Sequence, residues 1–408
     1  MPLDLVIKGG RVFYRGALVE AALGVEGGKV VRVGKEASMP KAERVYDASG
    51  LLVLPGMVDV HVHFRDPGRT DEEDFASGTA AAACGGVTAV ADMPNNDPPV
   101  VDRASFELKL SAAASKAYVD YALYAAASDG RLGELPQLME LGAVGVKAYM
   151  AHPSPQLRAR PGLVRGCLRR GWLVAVHAED PRLLERRVAS MEVSDALSYA
   201  KARGPVVEGA AVRRALRALA GPGRLHLCHL SSAWSVALVE EAKGRGEAVS
   251  AETCPHYLLL TRRELRRLGT LCKVDPPIRA GHHRRALWRA LWSRAVDVVA
   301  SDHAPHRLEE RGASFREAPS GFAGVEIALS LLLDCVNRGL LSLADVVELY
   351  SARPAEVLRL RGKGGLEEGK DADVVVVSMS EELRVRSREL HSKSPETPFE
   401  GRVLRGRP

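Results

Sequence analysis

The chain has 408 residues, 46% of them hydrophobic and 26% charged, with a formal net charge of +6. These values suit an ordinary globular protein long enough for a large barrel with an appendage. No apolar run approaches the ~20 residues that span a bilayer, and Met1-Pro-Leu-Asp-Leu lacks the charged-then-apolar order of an export signal.

The positive charge does not read as a nucleic-acid footprint. It is spread over amphipathic stretches such as TRRELRRL, with Arg262, Arg263, Arg266 and Arg267, which predict a solvated helix face. Aromatic residues make up only 5% of the chain, so stacking platforms are scarce. The six cysteines (84, 167, 228, 254, 272 and 335) contain no C-x-x-C pair. That argues against a structural thiolate zinc site and for reduced thiols in a cytoplasmic setting.

The first ~54 residues carry short β-patterned runs (LVIKGGRVF, ALGVEGGKVVRVG, RVYDASGLLVL) punctuated by glycine pairs at 9–10 and 27–28. The same texture resumes after Gly365 with GKDADVVVVS. Residues 1–54 and 356–408 are therefore predicted to form one small discontinuous β-sandwich domain. Between them, eight apolar runs alternate with helix-forming segments: GMVDVHVHF, VTAVADMPN, YVDYALYAAA, AVGVKAYM, LVAVHAED, RLHLCHLSS, AVSAETCP and DVVASDHAPH. Eight such units predict an α/β fold, a (β/α)8 barrel of the TIM type over residues 55–355. A doubly wound open sheet is the alternative, but the chain has no G-x-G-x-x-G turn and no P-loop.

Nearly every run ends in reactive side chains: His61, His63 and Arg65, then Asn95, Lys147, His177, His229 and Asp302. A barrel gathers the C-terminal ends of its strands into one cavity. In the first run, VDVHVHFRDPG, strand alternation sets Asp59, His61, His63 and Arg65 on one face. Val58, Val60, Val62 and Phe64 fall on the other, expected to pack outward beneath the helices. Alone, this stretch fits a wetted surface strand as well as a metal site, and His177 or His229 alone fits a hydrogen-bonded core histidine. Four histidines plus Asp302 at strand ends favour a metal, with Asp59 as support; zinc suits imidazole and carboxylate donors. Lys147 is the odd member, because an ammonium inside a cationic site is costly. Either it snorkels to solvent, or carbon dioxide has converted it into an anionic bridge between two metals.

DVHVHFRDPG, MPNN, VKAYM, HAED, CHLSS, PHYLLL, DPPIR, ASDHAPH and the tail SKSPETPFEG, in that order over nearly the whole chain, resemble the dihydroorotases of the amidohydrolase superfamily and their allantoinase and hydantoinase relatives. The resemblance implies two zinc ions per subunit. His61, His63 and Asp302 serve one, His177 and His229 the other, and Lys147 bridges them as N6-carboxylysine; Asp302 is also the catalytic acid and base. It further implies that Arg65, with Asn95 and His306, binds the ring carboxylate of dihydroorotate, whereas hydantoinase-like relatives act on rings without that anion. His63 touches the substrate as well as the metal. Asp275 stands where the family usually has an asparagine against the ring, and an ionised aspartate accepts but cannot donate. Ser320 and Gly321 match a loop that closes over the ring, although a plain glycine turn reads almost as well. The implied activity is the reversible cyclisation of N-carbamoyl-L-aspartate in pyrimidine biosynthesis. Allantoinase, hydantoinase or a degenerate non-catalytic scaffold are the alternatives. The implied partners are that small-molecule substrate, a second copy in a homodimer and, as in parts of the family, an aspartate transcarbamoylase; nucleic acid and membrane are not among them.

Overall fold

The computed structural model describes residues 2–312 and 314–408. Eight parallel strands follow one another around a barrel: β1 (Met57–Val62), β2 (Val87–Asp92), β3 (Asp120–Ala126), β4 (Gly145–Tyr149), β5 (Leu173–His177), β6 (Arg224–Leu227), β7 (Val249–Thr253) and β8 (Val298–Val299). Each predicted β-run contributes one strand. The helices between them bury the outward face of the sheet. Helix Phe75–Cys84, for example, starts at a capping box in which Asp74 accepts from the Ser77 N–H at 2.8 Å. No helix among the described residues is long and apolar enough to cross a membrane.

Two further sheets lie outside the barrel. One has four strands in the order Lys29–Gly34, Ala22–Glu26, Leu3–Lys8 and Ala42–Asp47. The other joins the two ends of the chain: Val374–Arg384 pairs antiparallel with Leu52–Pro55 on one side and with Val403–Arg407 on the other. Their shared core includes Ile7, Val12, Leu23, Val30, Val53 and Leu366.

The first strand departs from strict alternation. Val62 and Phe64 join the outer core with Phe75, whereas Val58 and Val60 cluster with Ala89, Ala91, Tyr124, Ala175, Val298 and Ala300. The expectation that all four pack outward is thus corrected. A register shift between Asp59 and Val62 reverses the face partway along the strand.

The same irregularity gives Asp59 a different task from the metal support expected of it. Between β1 and β8 the ladder is reduced to a bridge at Val62 and His303, with the His63 N–H donating to the His303 carbonyl at 2.8 Å. Below it the buried Asp59 carboxylate closes the seam. It accepts from the Ser301 N–H at 3.1 Å, the His61 N–H at 3.1 Å and the Tyr350 hydroxyl at 2.8 Å. Asp59→Ala strands three buried donors, so unfolding free energy should fall by about 2–5 kcal/mol in denaturant titrations. A loss under about 0.5 kcal/mol would show that the seam holds without it.

Candidate active site

The strand ends open into a cavity of about 530 Å³. His61, His63, Arg65, Asn95, His177, His229, Asp275, Asp302, His306, Ser320 and Gly321 line it. Lys147 lies just beneath, fully buried. All twelve candidate residues therefore converge on one place, although they span 260 positions of chain, from 61 to 321.

Two groups of donors face each other on the floor. In the first, Asp302 Oδ1 lies 3.5 Å from His61 Nε2 and 3.4 Å from His63 Nε2. The far nitrogens of both rings are engaged: His61 Nδ1 bonds Glu252, and His63 Nδ1 donates to Asn95 Oδ1 at 2.6 Å. Such bonds fix the tautomer and aim each Nε2 into the site. In the second group, His177 Nδ1 and His229 Nε2 are 3.1 Å apart, and His177 Nε2 is held by Glu179 at 3.1 Å.

Lys147 Nζ lies 3.4 Å from His61 Nε2 and 3.1 Å from Cys228 Sγ. Among the described residues no carboxylate pairs with it. The other fully buried lysine, Lys109, has Asp92 at 2.6 Å. Leaving a buried ammonium unpaired is costly, so the contrast marks Lys147 as a residue whose charge is changed or balanced by something other than an acid of this chain.

The electrostatics of three imidazoles agree with a cation site, while the acids around the fourth, His61, draw a proton to it in place of a metal. Burial pushes the His63 imidazole down to about 3 and lowers His177 and His229, leaving their lone pairs free at neutral pH. His61 moves the other way, to about 10: burial and Lys147 oppose its charge, but Glu252 and Asp302 outweigh them. Burial alone would raise the Asp302 carboxyl, yet the imidazoles around it, His61 foremost, hold it well below the usual carboxylate range. The convergent imidazole nitrogens and the ionised Asp302 carboxylate fit a divalent metal; the Lys147 amine joins such a set only once its positive charge is removed.

Above the floor, Arg65 Nη2 lies 2.9 Å from His306 Nε2, and the buried Glu72 carboxylate sits 3.5 Å from Arg65 Nε and 3.4 Å from His306 Nδ1. On the opposite wall Arg203 bonds Glu179 and reaches Asp275 at 3.3 Å. Against the pull of Arg203, burial and the Glu179 charge push the Asp275 carboxyl well above its ordinary range and so favour the protonated form, which can donate. Lys273 donates to the carbonyls of Phe315 (2.7 Å), Arg316 (3.3 Å) and Ala318, holding the loop that carries Ser320 and Gly321 over the cavity. Gly321 has φ +130°, and a β-carbon there would collide with Ala304, so the turn requires glycine.

Reading the sequence by strand ends missed Glu252, Glu179, Arg203, Glu72, Lys273 and Tyr149, which lines the cavity and whose buried hydroxyl has no partner. Glu252 had a visible signal, an acid inside the apolar run AVSAET. It bonds His61, takes the His229 N–H at 3.0 Å and meets His226 at 3.1 Å, ordering three histidines with one carboxylate.

Residues 52–400 match the model of the Amidohydrolase family. The chain is 38% identical to a dihydroorotase of Methanosarcina mazei, covering 98% of this chain and 90% of that one. It is 40% identical to an allantoinase of Rubrobacter xylanophilus, covering 99% and 91%. Among solved structures, the L-hydantoinase (dihydropyrimidinase) from Arthrobacter aurescens superposes with a TM-score of 0.96 at 30% identity, covering 100% of this chain and 94% of that one. Barrel, site and relatives agree: the chain belongs to the amidohydrolase family, among the enzymes that hydrolyse cyclic amides.

Proposed function

We propose that the protein is a dihydroorotase, which interconverts N-carbamoyl-L-aspartate and (S)-dihydroorotate plus water in pyrimidine biosynthesis, in a cytoplasm that keeps its six thiols reduced. The observation that carries this reading is Arg65. Its guanidinium is buried in the cavity wall beside His306 with its Nε braced by Glu72 at 3.5 Å, and Asn95 stands nearby with its oxygen already committed to His63, leaving its amide N–H groups to donate. A buried guanidinium flanked by further donors matches a carboxylate, and dihydroorotate carries one on its ring.

His61, His63 and Asp302 would hold one zinc ion, His177 and His229 a second, with Lys147 between them as a carbamate. The bound metals would polarise the ring carbonyl and acidify the attacking water. Arg65, Asn95 and His306 hold the carboxylate, which fixes the ring with its scissile amide toward Asp302. In hydrolysis Asp302 accepts the proton of the attacking water as oxygen bonds to the carbonyl carbon. It then delivers that proton to the ring nitrogen as the carbon–nitrogen bond breaks. Cyclisation runs the same transfers backwards. Asp275 faces the ring with both a donor and an acceptor, as an amide would.

A second reading is allantoinase, favoured by the Rubrobacter xylanophilus relative. Comparing kcat/KM on dihydroorotate, allantoin and hydantoin decides between them. The proposal expects dihydroorotate to lead, and a preference for allantoin would replace it.

Three variants probe the roles. Arg65→Met should lower kcat/KM for dihydroorotate by about 10²-fold or more, chiefly through KM, while metal content stays unchanged. Asp302→Asn should lower kcat by about 10²–10⁴-fold, and near-normal turnover would remove it from the proton transfers. Because Asp275 must keep its proton, its contribution is present at low pH and lost as pH rises through its raised pKa. Asp275→Asn should therefore match the parent within about threefold at low pH and lose the alkaline decline that Asp275 causes. A parent-like pH profile in Asp275→Asn would contradict the protonated form.

A further inference from the structure

Away from the cavity, three separate stretches of chain bring Cys84, Glu326 and His391 together. Cys84 ends helix Phe75–Cys84, Glu326 lies in the first turn of helix Val325–Asn337, and His391 belongs to the segment after Ser387–Glu389. None of them takes part in the chemistry above. Cys84 is exposed, whereas the other five cysteines are buried.

The imidazole is preorganised. The Glu326 carboxylate accepts from the His391 backbone N–H at 2.8 Å and from ring Nδ1 at 2.9 Å. The second bond places the ring proton on Nδ1 and the lone pair on Nε2, the arrangement found behind metal-binding histidines. That Nε2 lies 3.6 Å from Cys84 Sγ. Zinc bonds of ~2.3 Å to sulfur and ~2.0 Å to nitrogen, set at the tetrahedral angle, separate the two donors by about 3.5 Å. The pair already spans one edge of such a site, and one donor atom from each of the three side chains lies within 4.8 Å of the others.

We propose that Cys84 and His391, with Glu326 behind the imidazole, bind one divalent cation of the zinc class, water completing the shell. On binding, the Cys84 S–H bond breaks, its proton leaves to solvent, and the sulfur lone pair bonds the metal; no electrons change hands. A role as a free nucleophile is less suited to the place. Burial and the Glu326 charge push the Cys84 thiol up, and the C-terminal end of a helix disfavours a thiolate. The same negative field attracts a cation. The site would also pin the C-terminal segment. The next residues bond the start of the same helix region: Ser392 Oγ to Glu73, and Lys393 Nζ to the Thr70 carbonyl at 2.7 Å. Glu73 in turn holds His303 at 3.1 Å, beside Asp302.

The test uses the full chain with its catalytic metals loaded, titrated with Co²⁺ or Zn²⁺. Co²⁺ should add a thiolate-to-metal absorption band in the parent that is missing in Cys84→Ser. Zn²⁺ should slow labelling of Cys84 by an aromatic disulfide. His391→Ala should weaken that protection at least about tenfold, and Glu326→Gln by about 10–100-fold. A band that survives Cys84→Ser, protection unchanged in His391→Ala, or no band in the parent at millimolar Co²⁺ would each overturn the proposal. The contact would then be only an S–H···N hydrogen bond.

Discussion

The amine of Lys147 is buried at the centre of the barrel, against an imidazole and a thiol, and no acid of the described residues neutralises it. A protein that pairs Lys109 with Asp92 in the same barrel has the means to pair this lysine too. The rest of the site is arranged around that omission. Imidazoles rather than carboxylates surround the amine, and the two acids close by, Glu252 and Asp302, are spent on His61 and its neighbours. The proposed carbamate at Lys147 would supply the missing negative charge where two cations would sit. The wall above then presents Arg65 and His306 to an anion.

Holding polar groups this densely requires backbone that regular strands do not provide. Of the six non-glycine residues with positive φ among the described residues, three are site residues: Arg65 (59°), His229 (37°) and Asp302 (50°). Each such conformation costs of order 1–3 kcal/mol and persists only where its surroundings over-determine it. Here they do. Glu252 takes the His229 N–H, Asp59 ties the strand before Asp302 to the first strand, and Glu72 braces Arg65.

Those same turns explain what the sequence could and could not reveal. The eight strands were legible because short apolar runs alternate with helical segments, and the donors because polar groups cluster at the ends of those runs. Facing was not. By alternation His226 and His229 belong on opposite sides, yet both reach Glu252, one by its ring and one by its backbone, because the chain reverses at His229. The shift after Asp59 likewise turns Val58 and Val60 inward and moves Asp59 from the metal to the barrel seam. The supporting acids were hard to place for another reason. Glu72 and Glu179 resemble surface acids in one dimension, Glu252 shows only as an acid inside an apolar run, and only the fold shows which basic groups they meet.

The central claim is that the uncompensated lysine exists to hold metal. It is tested most directly by metal content per chain, measured in the Cys84→Ser background so that only the cavity is counted. With bicarbonate present, the account predicts two zinc ions when Lys147 is intact and at most one in Lys147→Ala. Two tightly held ions in both proteins would contradict it.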